Sequence, residues 1–149
     1  MKILLDTNIL TRSAQASHPQ HKIATSALVT LIQRGDIPCL VFQVVYEFWT
    51  VATRPIGAEN GLGLTVAETM VHLADFQLAF TLLDDRPEST IRLEWSRLVQ
   101  QFDVKGKAAH DARLVAAMIT YGISAVLTFN QSHFNRYTDI NILAPESVA

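Results

Sequence analysis

The apolar residues of this chain gather into strand-length runs, Ile3 to Leu5, Cys39 to Phe42, Ala125 to Phe129 and Ile140 to Leu143, and helical signals fill most of the sequence between them. Short runs without polar alternation suit strands buried on both faces, and strands joined through helices pair in parallel. The pattern predicts an α/β fold: a three-layer sandwich with a mostly parallel central sheet of four or five short strands flanked by helices. In such sheets ligands collect beyond the carboxyl ends of the strands.

The helices carry their own punctuation. Ser17-His18-Pro19-Gln20 reads as a capping box with proline at the first helical position, and Ala24, Ala27, Leu28, Leu31 and Ile32 follow at helical spacing as far as Gly35. Gln43 to Thr53 places Val44, Val45, Phe48, Trp49 and Ala52 on one side and stops at Arg54-Pro55. Thr65-Val66-Ala67-Glu68 opens a helix whose inward residues are expected to be Val66, Met70, Leu73, Gln77 and Phe80. Asp85-Arg86-Pro87-Glu88 caps the next, with Ile91, Trp95, Leu98 and Phe102 as core, and Lys107 to Tyr121 forms a last long helix ended by Gly122. The glycines at 57, 61 and 63 match no phosphate-loop spacing and read as a connecting loop.

A chain of 149 residues, 49% apolar and 17% charged, supports one core, so residues 1–149 are expected to form a single domain. The formal charge of -2 excludes general basic binding to nucleic acid; a polyanion has to be met locally. Cys39 is the lone cysteine, so neither a disulfide framework nor a cysteine zinc site is available. The apolar run at the N-terminus is too short for a signal peptide and no run approaches the roughly 18 residues of a membrane span, which gives a cytoplasmic, membrane-free expectation.

Three carboxylates fall at telling places. Asp6 follows the first strand, at the crevice position, where it serves either chemistry or the cap of the next helix. Glu47 borders the buried face of its helix, and needs a cation or a basic partner there. Asp111 shares a helix face with Leu114, Val115 and Met118, and either ligates or answers the helix dipole. Converging carboxylates repel one another unless a cation sits between them. All-oxygen ligation suits Mg2+ or Mn2+, with a water activated to attack a phosphodiester in line. A haloacid-dehalogenase reading lacks its second aspartate, since Asn8 stands there. A phosphorylated regulatory domain predicts a late lysine, and none follows Lys107.

Ile3-Leu4-Leu5-Asp6-Thr7-Asn8, Glu47, His110-Asp111-Ala112 and Leu127-Thr128-Phe129-Asn130 before His133-Phe134 together resemble the PIN-domain family, nearly end to end. Lys107 to Ala116 is similar to VapC-type toxins of bacterial toxin-antitoxin pairs. The resemblance implies a Mg2+- or Mn2+-dependent endoribonuclease that cuts structured RNA such as tRNA or rRNA, is silenced by a cognate antitoxin protein and forms a homodimer. It makes Asp6, Glu47 and Asp111 the catalytic and metal-binding residues. Thr7, Asn8, Thr128 and Asn130 are then supporting polar residues. Asn130 departs from the pattern, because many members carry an aspartate there; a second metal is therefore in doubt, and a catalytically weak PIN-like module that binds RNA or a protein partner is the alternative function. His110 and His133 stay outside the catalytic set. Arg12, Arg54, Lys105, Lys107 and Arg136 fall near element ends where they either rim the crevice or are simply solvated.

Overall fold

The computed structural model describes residues 1–149 as a five-stranded parallel sheet flanked by helices. In chain order the elements are β1 (Lys2–Leu5), α1 (Thr7–Ala14), α2 (His21–Gln33), β2 (Ile37–Leu40), α3 (Phe42–Thr53), α4 (Val66–Ala79), β3 (Thr81–Leu82), α5 (Glu88–Gln101), α6 (Ala108–Tyr121), β4 (Ala125–Leu127), β5 (Asn141–Leu143) and α7 (Pro145–Val148). The strand order is β3-β2-β1-β4-β5, so β1 is central and the chain changes direction of travel on either side of it. Ile3, Leu4 and Leu5 are all fully buried. Successive strand residues face opposite sides of a sheet, so both faces of β1 are covered and the sandwich has three layers.

The strands form where expected, with ends set by local competition. β2 spans Ile37–Leu40 rather than Cys39 to Phe42, because Val41 is the extended N-cap of α3 and Phe42 already lies in the helix. β3 pairs only with Cys39 and Leu40, which leaves Pro38 with an open side where a missing N–H costs little. β4 ends at Leu127 because the Phe129 N–H turns away to the Asn8 side chain at 3.2 Å. The two-residue β3 is too short to carry a sequence period.

Three helix expectations change. Ser17 does not cap α2: the segment before His21 is turned, the His18 ring accepts the Gln20 N–H at 3.1 Å, and Gln20 itself occupies the cap position without a side-chain cap bond. Asp85 does not cap α5, whose N-cap is Pro87. In α4 the Thr65–Glu68 capping box forms, but the inward residues are Thr69, Leu73 and Phe76, while Val66, Met70 and Gln77 face outward. Apolar residues on both sides of this helix left its phase open, and Phe76 settles it by meeting Phe48 edge-on with centroids 5.1 Å apart. Around the sheet, α1 packs against α2 and α3, α2 against α7, and α5 against α6, with Gly122 closing α6 in the left-handed conformation. No helix is long and apolar enough to cross a membrane.

Candidate active site

The register of the sheet makes the site. Leu5 on β1 lies beside Leu127 on β4, so the residues that follow, Asp6 and Thr128, leave adjacent strands at the same carboxyl edge. This is the switch point of the strand order, where crevices open in parallel sheets.

Asp6 is both strand end and helix cap. Its backbone is extended (φ -73°, ψ 156°) and Oδ1 accepts the Thr7 N–H at 2.7 Å. Oδ2 accepts the Thr128 hydroxyl at 2.6 Å and the Asn8 amide at 2.9 Å. The Asn8 amide also donates to Thr128 Oγ1 at 3.1 Å, and the Asn130 N–H donates to the same hydroxyl oxygen at 2.9 Å. Asp6 is 9% exposed, and none of its three donors is charged. Burial lifts its pKa from 3.8 to about 6 against the pull of Thr128 and Thr7, with the charges of Glu47 and Asp111 adding to the rise.

Glu47 faces the same space from α3. Its Oε2 accepts the Thr7 hydroxyl at 2.6 Å and its Oε1 the Gln43 amide at 2.9 Å. Gln43 is fixed at its other end, where Arg113 Nη1 donates to its Oε1 at 2.8 Å. Arg113 is in turn clamped by Glu88 at 2.6 Å. Asp111, on the first turn of α6, is partly buried and carries a pKa raised by burial; nearby His133 opposes the rise and Glu47 adds to it. The His133 Nδ1 lies 3.5 Å from Asp111 Oδ2.

Asp6, Glu47 and Asp111 therefore line one cleft of about 470 Å3, together with Thr7, Asn8, Asn130 and His133. They share the cleft without closing into a cage: no group of three His, Cys, Asp or Glu side chains has direct metal-holding geometry. Asn130 starts a short 3-10 turn and reaches the network through its main chain, with no side-chain bond to a carboxylate. Of the basic residues, Arg12 and Arg54 line the cleft; Lys105 pairs with Asp103, and Lys107 is not in the lining. His110 contributes its carbonyl, which accepts from Gln43 at 2.9 Å. Gln43, Arg113 and the His133 contact were missed from sequence; Gln43 was within reach as the i, i+4 neighbour of Glu47, whereas Arg113 carried no signal of its own.

The PIN-domain family model matches residues 3–140. This chain belongs to the PIN-domain family. Among solved structures, the PIN fold here is similar to VapBC2 from Rickettsia felis bound to a DNA fragment from its promoter (15% identity, TM-score 0.69, covering 97% of this chain and 98% of that one). It is equally similar to VapBC-1 from nontypeable Haemophilus influenzae (16% identity, TM-score 0.69, 97% and 98%). VapC20 from Mycobacterium tuberculosis, described as a Sarcin-Ricin loop cleaving toxin, shares 18% identity at a TM-score of 0.59 over 83% of this chain and 86% of that one. No curated protein matches in sequence.

Proposed function

We propose that this PIN domain is a divalent-cation-dependent endoribonuclease of the VapC toxin type, held inactive by a cognate antitoxin protein. The observation that carries the reading is Asp6: a buried carboxylate at the sheet's switch point, supplied only with neutral donors and repelled by two further carboxylates across the same cleft. Such a charge calls for a cation.

The donor chemistry fits one. Asp6, Glu47 and Asp111 offer only oxygen, the preference of Mg2+ and Mn2+, and Mg2+ is commonly held through one or two carboxylates with water completing its sphere, which suits carboxylates that share a cleft without forming a cage. A carboxylate has about four acceptor positions. Asp6 spends three of them and Glu47 two, leaving free lone pairs on both. When bound, the cation supplies charge neutralisation at the phosphate and acidity to the attacking water. The chain's own residues do the positioning: Thr7, Asn8 and Thr128 fix Asp6 and Glu47 in place, and His133 stands beside Asp111 with Nδ1 3.5 Å from its carboxylate.

The RNA substrate and the antitoxin partner follow from the VapC likeness, as does a homodimer. For that homodimer we assign the seam to the outer face of α4, where Met70 is 54% and Leu78 88% exposed; a Met70→Glu protein with the same solution mass as its parent would exclude it. The binding-module reading draws on Asn130, the neutral residue at the fourth position. Incubating purified protein with total RNA, with Mg2+ or with chelator, and mapping the fragments separates the two: discrete cation-dependent cuts support the nuclease, and retained RNA without cuts supports the module.

A further inference from the structure

Arg12 differs from the other arginines of the chain. Arg54, Arg97 and Arg113 each pair with a carboxylate, and Arg34, Arg86, Arg92 and Arg136 are exposed to solvent. Arg12 is half-buried in the last turn of α1, lines the cleft beside the carboxylates and has no acidic partner. Two neutral amides orient it instead. Its Nε donates to Gln20 Oε1 at 3.1 Å and its Nη1 to Gln15 Oε1 at 3.3 Å, while Nη2 has no acceptor within the chain. Gln20 is the N-cap residue of α2, yet its side chain serves Arg12 rather than the helix. Burial lowers the guanidinium pKa, a sign that the charge is poorly solvated and uncompensated.

A cation that is desolvated, aimed by neutral groups and left without a counter-ion is arranged to receive an anion from outside. A guanidinium fork matches a phosphate through paired hydrogen bonds. We propose that Arg12 is the seat for a backbone phosphate of single-stranded RNA next to the one being cut, working independently of the cation. The proposal rests on the ribonuclease reading, and it explains how a chain of net charge -2 grips a polyanion beside its own carboxylates.

The test is binding of a fluorescently labelled single-stranded RNA oligonucleotide to Asp6→Asn protein in chelator, across a range of salt, with cleavage by the parent measured alongside. Arg12→Ala is expected to weaken binding about tenfold and to flatten the slope of log affinity against log salt by about 0.7, the share of one phosphate on a single strand. Arg12→Lys keeps the slope and recovers part of the affinity. Gln20→Leu, which leaves the charge but removes its aim, weakens binding a few-fold at unchanged slope; it carries the test if Arg12→Ala fails to fold. Unchanged affinity and slope in Arg12→Ala, or in Gln20→Leu and Arg12→Lys together, overturns the seat. If the parent cuts RNA while Arg12→Ala binds normally, the seat alone fails. If the parent never cuts yet Arg12→Ala loses binding, the nuclease reading fails and the seat stands.

Discussion

Thr128 donates its hydroxyl to Asp6 at 2.6 Å across 122 residues of sequence. The contact exists because β4 lies beside β1 in register, so the first residue past each strand meets the other at the mouth of the crevice. Asn8 and the Asn130 main chain join this pair, and Thr7 links Asp6 to Glu47, whereas Asp111 stands apart from that network against His133.

Removing the hydroxyl should move the titration of the site. A bond to the charged form of a carboxyl holds its pKa down, so Thr128→Val raises Asp6 above about 6. The acid limb of the pH-rate profile is expected to move to higher pH, and on that limb cleavage falls about tenfold for every pH unit the limb has travelled. Thr128→Ser keeps the parent profile. An unmoved limb in Thr128→Val separates Asp6 from the titration that governs the rate.

Asp6 should also cost the cation-free protein stability. Its folded pKa of about 6 exceeds the ordinary 3.8. Between those values the unfolded chain has released the proton and the folded chain has kept it. Stability therefore falls as pH rises through this window, by about 3 kcal/mol in all. In chelator, Asp6→Asn is expected to melt above the parent at pH 7.5 and to converge with it near pH 4. Mg2+ then raises the melting temperature of the parent and leaves the variant unmoved.

The chain of contacts from Arg113 through Gln43 to Glu47 predicts a remote effect on activity. With Arg113→Ala, Gln43 loses the partner that fixes its carbonyl and Glu47 loses a fixed donor. Supporting residues of this sort are worth 10–100-fold in metal affinity or activity. Cleavage should need about tenfold more Mg2+ for half its maximal rate, with an unchanged melting curve. Glu88→Gln, which touches only the exposed side of Arg113, should do little.

The loop that carries Arg54, Glu59 and Asn60 to the cleft turns on Gly61. A Cβ there would stand 2.3 Å from the Pro55 carbonyl oxygen and 2.6 Å from that of Arg54, both main-chain atoms that cannot step aside. Gly61→Ala is expected to cost roughly 1–3 kcal/mol in thermal unfolding. A neutral result would show that the loop repacks freely.

Sequence reading recovered much of what a local rule decides, although the caps expected at Ser17 and Asp85 did not form. Leu5 followed by Asp6 marked the strand end, Thr65 and Glu68 marked a helix start, and Gly122 marked a helix stop. It lost what depends on neighbours distant in sequence. The Ser17 expectation failed locally as well: before α2 the His18 ring, two residues away, takes the Gln20 N–H and Ser17 caps nothing. The phase of α4 was set by Phe48, a partner invisible to periodicity. Arg113 matters only through Gln43, which lies 70 residues earlier. The PIN resemblance named the carboxylates and Thr7, Asn8 and Thr128 as their supports, but which oxygen each of them holds, and that Arg12 lacks an acidic partner, became visible only in three dimensions.

The decisive measurement is a Mn2+ titration of the purified protein followed by paramagnetic resonance, on the parent and on Asp6→Asn, Glu47→Gln and Asp111→Asn. One ion per chain is expected in the parent, at least tenfold weaker binding in each folded variant, and loss of RNA cleavage in step with it. Full Mn2+ affinity in all three variants, or RNA cleavage undiminished in any of them, would contradict a shared cation held by Asp6, Glu47 and Asp111.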